Sequence, residues 1–304
     1  MQKTEVRYRD RQTGKIVTED ILAETTLRWW YENPLGFAVF RYLLNNQFFC
    51  WLYGKLQDLP SSRHKIAEFV NQYQINLEEI ELPLARYRTF NAFFSRRLKP
   101  HARSFIQTTD VFCAPADGKV LVYPQLAAAT RIPIKGATIT LQSLLNSEGA
   151  AKAYAGGAAL IVRLAPYDYH RFHFPDQGKA NCAQSIQGQY HSVNPIALAK
   201  VPDLFCRNKR AVTEFYSQNF GRIAYVEVGA IVIGSIVQTY TPGLVAKGQE
   251  KGYFQHGGST LVLLFEPGAI AFDQDLIQDS QQNLEVQVLA GMQLGYSQKT
   301  QQTR

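Results

Sequence analysis

The run STLVLLFEPGAIAF at residues 259–272 has the pattern of a buried strand that ends in a turn, since it is short, apolar and broken by a proline and a glycine. Four similar runs lie in the same part of the chain: GKVLVYP at 118–124, AALIVRLAP at 158–166, IAYVEVGAIVIGSIVQTY at 223–240 and LEVQVLAG at 284–291. These short β-branched runs predict a β-rich domain over residues 107–304.

Helical patterns precede this domain. Residues 6–18 alternate in polarity and turn at Thr13-Gly14, which predicts a short hairpin, and helices follow over the rest of residues 1–106. Helix caps are predicted at three places: at Asn33 before Pro34, at Ser61 or Ser62, and at Asn91. Because helices come first and strands afterwards, the predicted fold class is α+β and not alternating β/α units.

The helical region carries an aromatic segment. Residues 27–56 hold ten aromatic side chains, including all three tryptophans of the chain, but charged residues interrupt the apolar run before it reaches the roughly 20 residues of a membrane-spanning helix. An amphipathic helix from Pro34 onwards that lies on a membrane surface fits this pattern. The alternative is a helix that packs on the core of its own domain.

A basic segment follows the aromatic one. No acidic residue lies between Leu82 and Thr109, whereas six basic residues do: Arg86, Arg88, Arg96, Arg97, Lys99 and Arg103. With a net charge of +7 for the whole chain, this segment predicts an anionic partner, for which lipid headgroups are a better fit than nucleic acid. A solvated charged face is the alternative.

The composition restricts the remaining classes. The chain of 304 residues is 46% hydrophobic and 19% charged, as in ordinary globular proteins. Its four cysteines include no C-x-x-C pair, and its first twenty residues contain no apolar signal segment, so that a reducing, cytoplasmic environment is expected. Glycine-rich nucleotide loops, zinc-protease and α/β-hydrolase motifs are absent from the sequence.

Three other places contain chemically useful residues. Asp117 lies in the turn PADGK at 115–119, His170 and His173 lie in PYDYHRFHFP at 166–175, and Ser259 follows Gly258 in FQHGGST at 254–260. Two histidines three residues apart could bind a metal, but no third ligand is nearby in the sequence, which favours acid-base chemistry. A serine activated by histidine and aspartate could attack a substrate or the carbonyl of its own preceding residue.

Seven ordered segments resemble phosphatidylserine decarboxylase proenzymes, and the likeness covers most of the chain. They are FNAFFSRRLKPHAR at 90–103, PADGKV at 115–120, APYDYHRFHFP at 165–175, YHSVNPIAL at 190–198, NKRAV at 208–212, VGAIVIGSI at 228–236 and KGQEKGYFQHGGSTLVLLFE at 247–266. His191 departs from the family pattern, in which tyrosine is common at this place, and His256 stands at a variable position where a structural or exposed role is expected.

The resemblance implies self-cleavage between Gly258 and Ser259. The products are a β chain of residues 1–258 and an α chain of residues 259–304, which stay together as a heterodimer and leave a higher oligomer open. Carried over, Asp117 orients His173, and His173 acts as the base on Ser259. His170 matches the histidine that the family uses mainly in decarboxylation.

The implied cofactor is a covalent pyruvoyl group made from Ser259, with neither a metal nor pyridoxal phosphate. Its carbonyl forms a Schiff base with phosphatidylserine. The lipid then loses CO2 and is released as phosphatidylethanolamine. The implied location is the cytoplasmic side of the cell membrane, as a peripheral protein. The alternatives are a Ser-His-Asp lipid hydrolase in which Ser259 stays uncut, and a noncatalytic module that binds lipid surfaces.

Overall fold

The computed structural model describes residues 5–126, 131–134, 137–201, 203–231, 235–255, 257 and 259–298. The expectations for His256 and Gly258 therefore fall outside the described residues. None of the described helices is both long enough and apolar enough to cross a membrane.

The strands are short, as the glycine- and proline-bounded runs predict. They are β1 Arg7–Asp10, β2 Ile16–Thr18, β3 Val111–Cys113, β4 Gly118–Tyr123, β5 Arg131–Ile134, β6 Ala137–Thr140, β7 Ala158–Leu164, β8 Arg171–His173, β9 Gly178–Ala180, β10 Gln184–Ile186, β11 Arg210–Ser217, β12 Gly221–Val228, β13 Ser235–Gln238, β14 Gly243–Val245, β15 Glu250–Gln255, β16 Ser259–Phe265, β17 Ile270–Phe272, β18 Glu285–Val288 and β19 Gln293–Ser297.

The helices are also short, and five of them precede the main run of strands. They are α1 Glu24–Glu32, α2 Pro34–Val39, α3 Gln47–Gln57, α4 Lys65–Tyr73, α5 Phe90–Phe94, α6 Leu141–Leu145, α7 Glu148–Ala153, α8 Pro195–Lys200, α9 Leu204–Arg207 and α10 Gln274–Gln281. A π-helical turn spans Phe40–Leu44, and 3₁₀ turns span Pro60–His64 and Leu84–Arg86.

One large sheet organises the described residues. Its eleven strands run in the order β14-β9-β11-β12-β16-β7-β4-β18-β1-β2, with β10 also paired with β11. Every pair is antiparallel except β1 with β18. This mixed helical and antiparallel architecture confirms the α+β class, because antiparallel pairing needs no helical crossover between neighbouring strands.

The predicted hairpin forms and also joins the large sheet. Strands β1 and β2 pair with each other, and β1 then pairs in parallel with β18 from the far end of the chain. The sequence shows the hairpin through its local alternation, but a pairing partner more than 270 residues away has no local signal. The division of the chain at residue 106 stays a prediction.

The helical region confirms one predicted cap and contradicts two. The Asn33 side chain accepts hydrogen bonds from the backbone N–H groups of Leu35 and Gly36. Neither Ser61 nor Ser62 caps α4; they lie in the preceding 3₁₀ turn, where the Ser62 hydroxyl bonds backbone carbonyls instead. Thr89, and not Asn91, caps α5 by accepting a hydrogen bond from the N–H of Ala92.

The aromatic segment is also not one helix. Helix α2 continues into the π-helical turn, the chain breaks at Asn45 and Asn46, and α3 begins after the cap that Asn46 provides. Phe40 is fully buried in the core, whereas Tyr42, Leu43 and Phe48 are each more than 60% exposed. One side of the segment therefore packs on the protein, as the second alternative predicts, and the other side is exposed, so that its binding to a membrane surface stays a prediction.

His191 connects the aromatic segment to the β-rich part. Its ring lies 5.4 Å from that of Phe40 and 6.1 Å from that of Tyr31, and its Nε2 is 2.9 Å from Gln189 Oε1. Burial lowers the pKa of His191 to about 4, from 6.5 for the free side chain. The folded protein therefore holds this imidazole in its neutral form at neutral pH.

We expect His191 to make stability depend on pH. Because the unfolded chain takes up this proton near pH 6.5 and the folded chain only near pH 4, the free energy of unfolding should fall between these values, by about 3 kcal/mol in total. Below about pH 4 this contribution should become constant. Urea unfolding of the wild type and of His191→Gln at pH 7, 6 and 5 measures the difference in slope, and equal slopes for the two proteins would contradict the prediction.

Candidate active site

Ser259 begins the central strand β16. It pairs with Leu164 of β7, while the next residue, Thr260, also pairs with Val228 of β12 on the other side. The serine is fully buried. Gly257 has a φ of 104°, a conformation that glycine adopts without strain, so that the chain can turn sharply just before this strand.

His170 is the histidine that lies against Ser259. Its Nδ1 is 3.4 Å from the Ser259 hydroxyl oxygen, and its Nε2 is 3.0 Å from the carbonyl oxygen of Ala165. Because a carbonyl only accepts hydrogen bonds, Nε2 carries the proton and Nδ1 of the neutral ring can accept the Ser259 hydroxyl. The ring of Phe94 stacks on the imidazole with a centroid distance of 4.1 Å and restricts its orientation.

A buried ion pair shapes the turn that holds this histidine. Asp168 accepts a hydrogen bond of 2.7 Å from the backbone N–H of Ala165, and Lys119 Nζ lies 3.0 and 2.9 Å from its two carboxylate oxygens. Both side chains are almost completely buried. Burial raises the pKa of the Asp168 carboxyl, while the Lys119 ammonium and the N–H of Ala165 act to lower it. The pair thereby restrains Ala165, the residue whose carbonyl orients His170.

Asp117 has other partners than a histidine. Arg103 binds its carboxylate through Nε at 2.8 Å and Nη2 at 2.7 Å, and the backbone N–H of Ala290 donates a further bond of 2.8 Å. The Arg103 guanidinium also pairs with Glu79. This arrangement compensates the buried negative charge of Asp117 and ties the PADGK turn to the basic segment.

His173 lies near Asp117 in the fold, but no hydrogen bond joins its ring to that carboxylate in the described part of the chain. The backbone N–H of His173 donates to the carbonyl of Pro115 at 2.8 Å, and the ring lies between those of Phe105 and Tyr169. Its Nδ1 is buried without a hydrogen-bond partner among the described residues. Burial lowers the pKa of His173, with Glu250 acting in the opposite direction, so that the neutral ring is favoured.

The structure therefore brings the predicted residues together only in part. Ser259 and His170 are neighbours, and Asp117 and His173 occupy adjoining segments, but among the described residues no hydrogen bond joins His173 to Ser259 or to Asp117. Sequence reasoning missed Phe94, Lys119 and Asp168. All three lie inside the quoted motifs, and the lysine at the start of a strand and the acid between two tyrosines are the local signals that point to Lys119 and Asp168.

The arrangement can transfer a proton from a buried hydroxyl to an oriented imidazole, which is the requirement of a serine nucleophile. Within the ranges that the structure describes, no group of three or more His, Cys, Asp or Glu side chains is placed to hold a metal ion.

Comparison with known proteins adds an independent observation. The sequence model described as phosphatidylserine decarboxylase matches residues 90–296. A phosphatidylserine decarboxylase proenzyme from Clostridium novyi (strain NT) is 43% identical over 278 residues, which cover 91% of this chain and 94% of the relative. Proenzymes of the same name from Clostridium botulinum (strain Kyoto / Type A2) and Chlamydia pneumoniae are 40% identical over 291 residues and 42% over 300, with 95% and 98% of this chain covered and 99% of each relative.

We expect Asp168→Asn to destabilise the protein by about 3–5 kcal/mol, because it leaves the buried Lys119 ammonium without a carboxylate. Asp203→Asn is the matched control, since its pair with Arg207 is exposed and should contribute less than about 1 kcal/mol. Urea unfolding measures both variants. Similar losses in the two would show that the buried pair does not hold the turn.

Proposed function

The chain belongs to the phosphatidylserine decarboxylase family, and on this premise we propose that it is the proenzyme of a lyase that converts phosphatidylserine to phosphatidylethanolamine and CO2. The family match over residues 90–296 carries this proposal, and it confirms the resemblance predicted from the seven segments. The alternative of a lipid hydrolase is not supported, because the matching family and the relatives are decarboxylases.

The pyruvoyl group of this family fits the site. It retains the carbonyl and β carbon of the serine from which it is made and has fewer non-hydrogen atoms than that serine, so the space that the buried Ser259 occupies is large enough for it. At the start of β16 the group supplies a carbonyl that serves as an electron sink when the substrate loses CO2. The chain's own residues provide the rest: His170 can hold or deliver a proton beside it, and the stacked Phe94 excludes water from that side.

We place the first proton transfer of self-cleavage on His170. The base must take the hydroxyl proton of Ser259 as its oxygen attacks the carbonyl of Gly258, and His170 Nδ1 is the basic nitrogen within reach in the uncut chain. The resemblance assigns this step to His173, with Asp117 as its orienting group. That assignment requires the His173 ring to move to Ser259, and comparison of the two histidine variants separates the possibilities.

The two products of cleavage should remain associated. The α chain begins with β16, which has paired neighbours on both sides, and it also contributes β18, which lies between β1 and β4. Separation would expose the strand edges and a continuous buried apolar strand. The β chain and α chain are thus proposed to form a heterodimer that only denaturation separates.

We expect intact mass spectrometry of the wild type to show chains of 258 and 46 residues, the shorter blocked by a pyruvoyl group that borohydride reduces. Ser259→Ala should remain uncut and inactive, because the nucleophile is absent. Thr260→Val is the matched control in the same buried strand and should be cut. A cut Ser259→Ala, or an uncut wild type with hydrolase activity, would contradict the proposed function.

The same measurement separates the histidines. His170→Ala should accumulate uncut chain, because the nitrogen nearest to Ser259 is lost. If His173→Ala stays uncut while His170→Ala is cut normally, His173 is the base. An uncut Asp117→Asn would then support the predicted role of Asp117 in orienting His173.

We further propose that residues 29–59 bind a membrane surface as a peripheral anchor on the cytoplasmic side of the cell membrane. Nine large apolar side chains in this segment are exposed: Trp29, Leu35, Tyr42, Leu43, Phe48, Trp51, Leu52, Leu56 and Leu59. Such a concentration is unusual for a surface in contact with water only. Of the six basic residues predicted to attract headgroups, Arg86, Arg88, Arg97 and Lys99 are exposed, whereas Arg96 is buried and Arg103 binds Asp117.

Flotation with anionic liposomes tests the anchor. The triple variant Leu43→Ser, Phe48→Ser, Trp51→Ser should partition at least about tenfold more weakly, because it removes most of the apolar area that three large side chains bury in lipid. The control is Leu244→Ser, since Leu244 is 88% exposed but lies on β14, away in sequence from the segment. Equal binding of the triple variant and the wild type would contradict the anchor.

A further inference from the structure

Arg96 is a buried cation, and the two carboxylates whose charges act on it, Asp117 and Asp168, are paired with Arg103 and Lys119 instead. Its Nη2 donates a hydrogen bond of 3.2 Å to the carbonyl of Tyr167, whereas its Nε and Nη1 are inaccessible to water and have no hydrogen-bond partner in the described part of the chain. No described carboxylate forms an ion pair with it. A buried charged group that is left in this state is costly, and it calls for an explanation.

The other buried arginines show how the same fold treats a guanidinium that has only a structural task. Arg163 pairs with Glu19 and Glu285, and Arg171 pairs with Glu250. Arg210 has no carboxylate, but its three nitrogens donate to the carbonyl oxygens of Ser143, Leu144, Cys206 and Asn208. Arg96 differs from all three, because two of its nitrogens are left open.

Arg96 is connected to the reacting groups through its two neighbours Phe94 and Tyr167. It follows Phe94 by two residues, and Phe94 stacks on His170. Its hydrogen-bond acceptor, the Tyr167 carbonyl, belongs to the same turn that carries His170. When one atom of a substrate is bound at residue 259, another group of the same molecule, a few covalent bonds away, can therefore reach this guanidinium.

Ser259 and His170 are as inaccessible in the uncut chain as the open nitrogens of Arg96. A substrate must therefore displace covering groups to reach Ser259, and the same opening can admit an anion to Arg96.

The chemistry of the reaction selects which anion this is. Phosphatidylserine has two anionic groups, a carboxylate that is lost as CO2 and a phosphodiester that is unchanged. An ion pair with the carboxylate would stabilise the ground state more than the transition state and slow the reaction, whereas an ion pair with the phosphodiester is equally strong in both. The planar guanidinium also matches the geometry of phosphate oxygens.

We propose that Arg96 binds the phosphodiester of phosphatidylserine and so distinguishes the lipid from serine compounds that lack phosphate. This inference rests on the proposed function, since the substrate comes from it. Its position within the basic segment agrees with the role, but Arg96 acts inside the site and the exposed basic residues act outside it.

The test compares two substrates with the matured full chain: a soluble short-chain phosphatidylserine, and an O-alkyl serine that lacks the phosphate. We expect Arg96→Gln to lower kcat/KM for phosphatidylserine about 30-fold, the usual effect of losing a charge-assisted hydrogen bond, and to leave the O-alkyl serine within about twofold. Arg96→Lys should lie between the two, because it keeps the charge without the planar fork. Arg207→Gln, an exposed arginine on α9, is the control and should match the wild type on both substrates.

Three results would overturn the proposal. Equal losses on both substrates would assign Arg96 a structural role. If Arg96→Gln cleaves itself slowly but its matured fraction has normal kinetics, Arg96 interacts with the new carboxylate of residue 258 and not with the substrate. If Arg96→Gln does not fold, Arg96→Lys replaces it in this test, and an equal loss of its kcat/KM on both substrates would likewise assign Arg96 a structural role.

Binding measured without turnover separates this inference from the proposed function. Calorimetry on the matured protein, after borohydride has reduced the pyruvoyl group and so stopped turnover, gives the dissociation constant of glycerophosphoserine for the wild type, Arg96→Gln and Arg96→Lys. We expect the arginine to be required for tight binding. A wild type that binds this compound through Arg96 but does not decarboxylate phosphatidylserine would contradict the proposed function alone. A wild type that decarboxylates but whose binding does not depend on Arg96 would contradict the phosphate site alone.

Discussion

The position of Ser259 depends on the hydrogen bonds that hold β16 in the middle of the large sheet. The strand pairs with β7 and β12 along nearly its whole length, and its seven residues are buried. A nucleophile on a loop could move away from its base, whereas the first residue of a central strand has one orientation. The same ladder that positions the hydroxyl before cleavage also retains the new chain end after it.

Buried charges then organise the surroundings of that serine. Lys119 pairs with Asp168, Asp168 binds the backbone N–H of Ala165, and the carbonyl of that same residue selects the tautomer of His170. Each step replaces water by a fixed dipole or charge, which is the condition under which a histidine acts without reorganisation of its solvent. Arg103 performs the equivalent task for Asp117. Arg96 lacks such a partner, and this difference from the neighbouring buried charges is the reason to propose that it binds a group of the substrate.

The sequence was informative where the signal is local. The short apolar runs, the hairpin and the Asn33 cap were predictable, since each depends on neighbouring residues. The long-range pairing of β1 with β18, the break at Asn45 and the choice of Thr89 over Asn91 were not, because tertiary contacts decide them. For the site, Asp117, His170, His173 and Ser259 were predictable from their local motifs, and the family resemblance supplied their individual roles. Which histidine reaches Ser259 depends on the orientation of two side chains three residues apart, and spacing does not contain that information.

Burial has a chemical consequence for self-cleavage. Attack of Ser259 on the preceding carbonyl gives an ester with two fates. Elimination releases the carboxylate of residue 258 and leaves an aminoacrylate, whose imine form reacts with water to give the pyruvoyl group and ammonia. Hydrolysis of the ester instead gives a cut chain that begins with an unmodified serine. Hydrolysis needs a water molecule beside the ester carbonyl, whereas elimination needs only a base that removes a proton from Cα. With Ser259 and His170 both inaccessible to solvent, bulk water is kept out and a base is already present. A closed site in the uncut chain therefore favours elimination over hydrolysis of the ester, and it must admit water and then substrate only after the chain has been cut.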